Sequence, residues 1–227
     1  MSPPAAGIVG VLLAGGRSSR MGGGDKCLRP LGGRPILARL LERVRDQVGD
    51  LVINANGDPS RFGAYGLPVV ADVVEGYAGP LAGVLTGLEW ARANRPAAVW
   101  VATFATDAPF VPRDLVARLA EAVADDRADM ACAASGERIH PVFGLWPVRL
   151  ADDLSKALRE EQIRVVNRWT DRYRLARVGF ATEPIDPFFN INEPENLAEA
   201  EHVLAAFESS SGQGPGVSPA SRRRAGR

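Results

Sequence analysis

The chain has 227 residues, of which 46% are hydrophobic and 24% are charged, a balance typical of one globular domain. Its 27 basic and 27 acidic residues cancel, which argues against a general nucleic-acid-binding protein. No apolar run approaches the roughly 20 residues needed to span a bilayer, and the N-terminus lacks the pattern of a signal peptide. The two cysteines, Cys27 and Cys132, provide no disulfide framework, so we expect a cytoplasmic protein that does not associate with membranes.

Strand-like apolar runs alternate with helical patterns along the chain, and Pro35 fits the first turn of the first helix. This alternation predicts a three-layer α/β/α fold, with a mostly parallel sheet covered on both faces and one antiparallel strand in the second half. We expect residues 1–207 to form the domain and residues 208–227, rich in serine, glycine and arginine, to be a disordered tail. The predicted strands are 8–13, 51–55, 67–71, 98–105, 129–134, 141–146 and 174–180, and the predicted helices are 35–48, 79–90, 111–124, 151–169 and 194–207.

A glycine-rich loop follows the first strand, with the sequence GGRSSRMGGGDK over residues 15–26. Glycines allow the backbone N–H groups to approach anionic oxygens, and arginine and lysine add donors suited to phosphate. The P-loop pattern is absent, because Lys26 is followed by Cys27, and the G-x-G-x-x-G pattern is absent as well. The loop therefore predicts a nucleoside triphosphate site of another kind; the alternative is a flexible surface loop.

Polar clusters follow the next strands, and the carboxyl ends of parallel strands meet in one crevice. Asp107 is placed to hold Mg²⁺ against phosphates, or to cap the helix expected near Pro112. Lys26 is suited to neutralise the triphosphate and the departing pyrophosphate, or is a solvated surface lysine. Asn54 can pair with a base edge or serve as a turn residue. Asp72 can accept from the N1–H and N2–H₂ groups of guanine or cap a turn, and the residues leave both open.

The histidines and the last polar cluster have simpler interpretations. Two histidines, His140 and His202, are too few for a histidine-based metal site, and no Ser-His-Asp arrangement is evident in the sequence. Asn192 is predicted as the N-cap of the final helix, with Pro194 near its start.

Taken in order, these motifs resemble the molybdenum cofactor guanylyltransferases, and the similarity runs from about Gly7 to Leu204. One departure is visible, because the family usually has cysteine where this chain has Thr106, next to the intact Asp107. The motifs that carry the resemblance are the loop through Lys26, Asn54–Asn56, Gly79–Gly83 (GPLAG), Thr106–Pro109 (TDAP), His140–Pro141 and Phe189–Glu195 (FNINEPE).

The resemblance implies a Rossmann-like nucleotidyltransferase fold and Mg²⁺-dependent transfer of GMP from GTP to molybdopterin, with release of pyrophosphate. Asp107 matches the metal ligand, and Lys26, Arg20 and Asp107 match the catalytic positions. The GTP positions are Leu13, Ala14, Gly15, Lys26, Asn54, Asp72 and Asp107. The substrate-binding positions are Gly79, Pro80, Leu81, Gly83, His140, Asn190 and Asn192.

Three other functions are alternatives to this expectation. A sister enzyme would use CTP, and an enzyme acting on a sugar 1-phosphate would need a larger C-terminal half. A nucleotide-binding protein without chemistry would not require both Lys26 and Asp107. The resemblance also leads us to expect partner proteins that deliver or receive the cofactor.

Overall fold

A computed structural model describes residues 7–15, 25–76 and 79–211, with side chains described as far as residue 206. The strands are β1 Ile8–Leu13, β2 Pro30–Leu31, β3 Arg34–Pro35, β4 Asp50–Asn54, β5 Val69–Val70, β6 Trp100–Ala105, β7 Met130–Ser135, β8 Arg138–Pro147 and β9 Leu175–Phe180. The helices are α1 Ile36–Val44, α2 Pro80–Asn94, α3 Leu115–Asp125, α4 Ala151–Arg159, α5 Val166–Thr170 and α6 Pro194–Ser211.

Seven strands form the main sheet, in the order β5-β4-β1-β6-β8-β7-β9. β8 runs antiparallel to both of its neighbours, whereas all other pairs in this sheet are parallel. The predicted mostly parallel sheet with one antiparallel strand is therefore confirmed. β2 and β3 form a separate antiparallel pair.

β1 lies in the middle of the parallel half, and its two faces pack into different cores. Ile8 and Leu12 join the core on the α1 and α3 face, whereas Val9 and Val11 join the core on the α2, α4 and α5 face. A strand buried on both sides needs apolar residues at successive positions, which explains the continuous run in the sequence. The predicted three-layer α/β/α architecture is confirmed.

α2 lies unusually close to the sheet because two glycines face it. A Cβ added at Gly87 would lie 2.4 Å from Val11 Cγ2, and one added at Gly83 would lie 2.5 Å from both Leu13 Cδ2 and Asn54 Oδ1. These two positions are one helical turn apart, so both face the sheet. The close approach brings the N-terminal end of α2 to the ends of β1 and β4.

Several predicted helix boundaries were wrong. Pro35 pairs with Pro30 in an extended conformation, so α1 begins one residue later. α3 begins at Leu115 rather than near Val111, after a turn in which the Leu115 N–H donates to the Pro112 carbonyl. The predicted helix 151–169 is two helices, α4 and α5, because Gln162 has a φ of 59° and interrupts the helical backbone.

The last helix, α6, continues past residue 207 to Ser211, and residues 212–227 lie outside the described part of the chain. The predicted tail therefore stays a prediction. Within the described ranges, no helix combines the length and apolarity required to cross a membrane.

Candidate active site

A cavity of about 550 Å³ opens at the carboxyl ends of β1, β4 and β6. Polar groups predicted to converge there do so, because these strands are adjacent and parallel. The lining residues are Leu13, Ala14, Gly15, Asp25, Lys26, Cys27, Asn54, Asn56, Asp72, Gly79, Pro80, Gly83, Ala105, Thr106, Asp107 and Val142.

Lys26 lies at one end of the cavity, where its ammonium joins two distant segments. Lys26 Nζ donates to Asp107 Oδ2 at 3.0 Å and to Asn192 Oδ1 at 2.5 Å. The side chains of Lys26 and Asp107 are 23% and 21% exposed, so the ion pair is partly shielded from water. An ammonium has three N–H donors, and these two contacts use two of them.

Asp72 lies at the other end, and two amides hold its carboxylate. Asn54 Nδ2 donates to Asp72 Oδ1 at 2.9 Å, and Asn56 Nδ2 donates to Asp72 Oδ2 at 2.8 Å. Asn56 Oδ1 also accepts from the Asp72 backbone N–H at 2.9 Å. An ionised carboxylate has about four acceptor positions, so both oxygens keep capacity for a ligand.

Asp25 and Cys27 flank Lys26; the first is a carboxylate paired with an arginine, and the second is a buried thiol. Arg61 Nε lies 2.6 Å from Asp25 Oδ2, which neutralises this carboxylate within the protein. Burial raises the pKa of the Cys27 thiol to about 11, despite a hydrogen bond with Thr106 that acts in the opposite direction. The thiol is thus protonated at neutral pH and is a poor nucleophile.

Thr106, which stands where the family usually has cysteine, has a structural role next to Asp107. Its side chain is buried, and Thr106 Oγ1 donates to the Leu13 carbonyl at 3.1 Å. This hydrogen bond ties the end of β6 to the end of β1. Threonine therefore supports the position of Asp107 without replacing the carboxylate.

The start of α2 forms one wall of the cavity. Gly79 has a φ of 76°, in the region that favours glycine, and Pro80 begins the helix. Gly79, Pro80 and Gly83 line the cavity, whereas Leu81 is fully buried in the core between α2 and the sheet. The Leu81 side chain is therefore left out of the proposed substrate contacts.

The remaining predicted substrate residues lie in different environments. His140 is only 5% exposed and does not line the cavity; its Nε2 lies 2.6 Å from Ser135 Oγ. We therefore leave His140 out of the proposed substrate contacts as well. Asn190 is half-buried, and its Oδ1 has no hydrogen-bond partner among the described residues. Arg20 lies outside the described residues.

Asn192 does not cap the final helix, contrary to the sequence prediction. The side chain of Asn196 instead accepts from the backbone N–H groups of Asn192 and Glu193, at 3.2 Å and 3.1 Å. The Asn192 side chain is thereby free to contact Lys26. A local N-cap prediction could not anticipate a contact with a residue 166 positions away.

The donor set of the cavity suits a magnesium ion that is held largely by its substrate. Within the described ranges, no group of three or more His, Cys, Asp or Glu side chains is arranged to hold a metal ion. Asp107 is one carboxylate facing the cavity, and Mg²⁺ in nucleotide sites is usually bound by one or two carboxylates together with phosphates. The residues present therefore fit Mg²⁺ bound together with a triphosphate.

The sequence profile of the MobA-like NTP transferase domain matches residues 10–176 of the chain. A molybdenum cofactor guanylyltransferase from Bradyrhizobium sp. (strain ORS 278) is 56% identical over 201 residues, which cover 88% of this chain and 94% of the relative. The chain belongs to the molybdenum cofactor guanylyltransferase family. It is therefore a nucleotidyltransferase and takes part in molybdenum cofactor biosynthesis.

Two further comparisons agree with membership of this guanylyltransferase family. A molybdenum cofactor guanylyltransferase from Nitrobacter hamburgensis is 53% identical over 196 residues, covering 86% of this chain and 94% of the relative. The crystal structure of molybdopterin-guanine dinucleotide biosynthesis protein A from Archaeoglobus fulgidus has a TM-score of 0.68 at 22% identity, covering 88% and 99% of the two chains. The latter similarity shows the shared nucleotidyltransferase fold.

Proposed function

We propose that the chain transfers GMP from GTP to the terminal phosphate of molybdopterin, forming molybdopterin guanine dinucleotide and pyrophosphate in a Mg²⁺-dependent reaction. The observation that carries this proposal is one cavity with an acceptor-rich end at Asp72 and a cationic, carboxylate-containing end at Lys26 and Asp107. The names of the family's relatives support guanine as the base and the molybdenum cofactor as the acceptor.

The Asp72 end is proposed to bind the base. A carboxylate accepts hydrogen bonds and does not donate them, and the guanine edge presents two adjacent N–H donors, at N1 and N2. Cytosine has no matching pair of donors on one edge. Asn54 and Asn56 hold the carboxylate in place, so this recognition does not require the side chain to become ordered on binding.

The Lys26 end is proposed to bind the phosphates. Lys26 retains one N–H donor beyond its contacts with Asp107 and Asn192, and this donor can bind a phosphate oxygen. Gly15 and the N-terminal end of α2 border the same cavity, and the positive end of a helix dipole favours phosphate. Arg20, in the loop that precedes Lys26, is proposed to add further positive charge.

Asp107 is proposed to hold Mg²⁺ together with the phosphates, as its carboxylate faces the cavity next to Lys26. When bound, the ion neutralises phosphate charge and the charge that develops on the departing pyrophosphate.

In the proposed reaction, a terminal phosphate oxygen of molybdopterin attacks the α-phosphorus of GTP in line. The new P–O bond forms as the bond between the α-phosphorus and the bridging oxygen breaks, and pyrophosphate leaves with the electron pair. A phosphate monoester is already anionic at neutral pH, so the chain needs no strong general base and works by positioning and charge stabilisation. Gly79, Pro80, Gly83, Asn190 and Asn192 are proposed to border the acceptor.

Pyrophosphate release measured in turn with GTP, CTP, ATP and UTP, each with Mg²⁺ and molybdopterin, tests the proposal. We expect release with GTP and little with the other three nucleotides. Preference for CTP would instead indicate the cytidylyl reaction at the same site. Absence of release with all four would contradict nucleotidyl transfer to molybdopterin. The cytoplasmic location and partner proteins expected from the sequence stay predictions.

Substitution of Asp107 by asparagine tests the metal role. The amide keeps the shape and the contact with Lys26 but removes the charge that holds a divalent cation. We expect kcat to fall by at least about 100-fold, in line with the loss of one electrostatic group at a reacting centre. Asp125→Asn, on the exposed end of α3, is the matched control and keeps full activity. Substantial Mg²⁺-dependent turnover by Asp107→Asn would contradict the assignment.

A further inference from the structure

A buried polar network lies beyond the cavity and joins three segments of the chain. Ser135, the last residue of β7, and His140, on β8, are 3% and 5% exposed. Ser135 Oγ lies 2.6 Å from His140 Nε2 and donates to Asp186 Oδ2 at 2.9 Å. No motif in the sequence indicates this contact, because the three residues meet only through the pairing of β7 with β8 and the return of a later loop.

The protons of this network can be assigned from the hydrogen bonds. The Ser135 hydroxyl has a single hydrogen, and an ionised Asp186 can only accept it. Ser135 Oγ must then accept from His140, so Nε2 carries the hydrogen of the ring. Burial lowers the pKa of His140, which favours the neutral ring, although Asp186 opposes this shift.

This arrangement is not that of a nucleophilic triad. In such triads the carboxylate contacts the histidine and the histidine takes the serine proton. Here the carboxylate contacts the serine, the histidine donates to it, and the serine is almost inaccessible to solvent. A buried hydrogen-bond network of this kind fixes geometry rather than performing chemistry.

The network fixes the start of a loop that returns to the active site. Asp186 Oδ1 accepts from the Phe188 N–H at 2.9 Å, and the Asp186 carbonyl accepts from the Phe189 N–H at 3.0 Å. Phe188 is 1% exposed and packs against the His140 ring, with 4.6 Å between ring centroids. Residues 186–189 are therefore held by hydrogen bonds and by ring packing at once.

The following residues contact the groups proposed to carry out the reaction. The Ile191 N–H donates to the Asp107 carbonyl at 2.9 Å, and Ile191 is fully buried in a small core with α6. Asn192 Oδ1 accepts from Lys26 Nζ. The seven residues from Asp186 to Asn192 thus connect the carboxylate of the network to the ammonium of the active site.

We infer that Ser135, His140 and Asp186 are positioning residues that hold segment 186–192 in register, so that Asn192 orients Lys26 and Ile191 supports Asp107. The inference rests on the proposed function for its effect on catalysis, but its structural part stands independently of that function. None of the three side chains lines the cavity, so their effect on the substrate is indirect and is exerted through this segment.

Ser135→Ala is the first test, because it removes the atom that joins the other two side chains. We expect kcat to fall by about 10- to 100-fold, the effect of a small misplacement of reacting groups. The KM for GTP should change by less than about threefold, since Asn54 ends β4 and Asp72 follows β5, both far from β7 in the strand order, and are untouched. Thr170→Ala is the matched control, because it removes a buried hydroxyl from α5, outside the cavity.

A second pair of variants separates positioning from a general loss of packing. Asp186→Ala removes the acceptor for both Ser135 and Phe188, and should lower kcat as Ser135→Ala does. Asp186→Asn can retain both contacts: its Oδ1 accepts from the Phe188 N–H and its amide donates to Ser135. Ser135 then donates to His140 Nε2, once the ring hydrogen has moved to Nδ1. We expect Asp186→Asn to recover most of the activity. Equal losses in Asp186→Asn and Asp186→Ala would contradict the role assigned to the network.

Hydrogen exchange over residues 186–192, followed by mass spectrometry, gives a readout that does not depend on activity. Loosening of the segment should speed exchange in Ser135→Ala by about tenfold or more, while Thr170→Ala leaves it unchanged. Exchange and kcat in Ser135→Ala equal to those of Thr170→Ala would overturn the inference. If the unaltered chain released no pyrophosphate, the proposed function would fail, and exchange would still decide the positioning role.

Discussion

At the residue scale, the geometry around Asp72 shows how a side chain becomes selective through its neighbours. Asp72 is a half-buried carboxylate just after β5, and two asparagine amides together with its own backbone N–H fix its side chain in one orientation. Asn54 is itself held, since its Nδ2 also donates to the Val70 carbonyl at 3.3 Å. Asn56 contributes as much to this arrangement as Asn54, although only Asn54 was among the GTP positions implied by the resemblance.

Asn56→Ala tests this view of base selection. Loss of the contacts to both the carboxylate and the backbone of Asp72 should let the carboxylate rotate away from the base. We expect the KM for GTP to rise by about tenfold, the loss of roughly one charged hydrogen bond, with little change in kcat. Steady-state kinetics with GTP and ATP would show reduced discrimination.

Ser60→Ala is the control for this substitution, because the Ser60 hydroxyl donates to the nearby Asp58 and Ser60 lies outside the cavity. Its KM for GTP should match that of the unaltered chain. An Asn56→Ala variant with unchanged selectivity would show that Asp72 is held in another way.

At the element scale, α2 is the helix whose placement most directly shapes the site. Its first turn borders the cavity, and its glycines allow it to lie against β1 and β4. Asn54 Oδ1 is one of the two atoms nearest to a Cβ added at Gly83. The amide nitrogen of the same side chain donates to Asp72 and to the Val70 carbonyl. A shift of the Asn54 side chain would therefore disturb Asp72 and the proposed base-binding site.

A pair of glycine substitutions separates the two consequences of this packing. Gly83→Ala and Gly87→Ala should each destabilise the fold by about 1–3 kcal/mol, the usual cost of overpacking a core. Gly83→Ala should also raise the KM for GTP, because the added methyl group displaces Asn54. Gly87→Ala should leave this KM unchanged, because its added methyl group meets Val11 and Val101, which do not line the cavity. Thermal unfolding and GTP kinetics on both variants provide the comparison. Equal effects of the two substitutions on KM would contradict it.

At the scale of the whole molecule, two buried thiols connect global stability to alkaline pH. Burial raises the pKa of Cys27 and of Cys132 from the ordinary value of 9.0 to about 11. Between pH 9 and pH 11 the unfolded chain releases these protons while the folded chain keeps them. Stability must therefore fall as the pH rises through this range.

The contribution of Cys132 can be isolated by Cys132→Ala. The free energy of unfolding of the unaltered chain should fall between pH 9 and pH 11 by about 2 kcal/mol more than that of the variant, as a two-unit difference in pKa requires. Denaturant unfolding at several pH values measures both slopes, and the constant cost of removing the side chain cancels. Parallel slopes for the two chains would contradict a buried, protonated thiol.

Much of the fold was predictable because its signals are local. Apolar runs such as Ile8–Leu13 and Trp100–Ala105 are buried on both faces, and that burial is visible in composition alone. The ends of the helices were less predictable. Pro35 pairs with Pro30 in the β2–β3 pair, although proline by itself favours the first turn of a helix.

By itself, the sequence determined the α/β class and the order of most elements, because hydrophobic periodicity is a property of short segments. It also determined that four polar residues lie at or after the ends of strands: Lys26, Asn54, Asp72 and Asp107. Only the tertiary structure decided which of these groups meet, that Asn56 shares the hold on Asp72, and that His140 is buried. It also decided that Asn192 contacts Lys26 rather than capping a helix. Hydrogen bonds between residues far apart in the chain depend on how the strands and loops are brought together, and no local pattern records that.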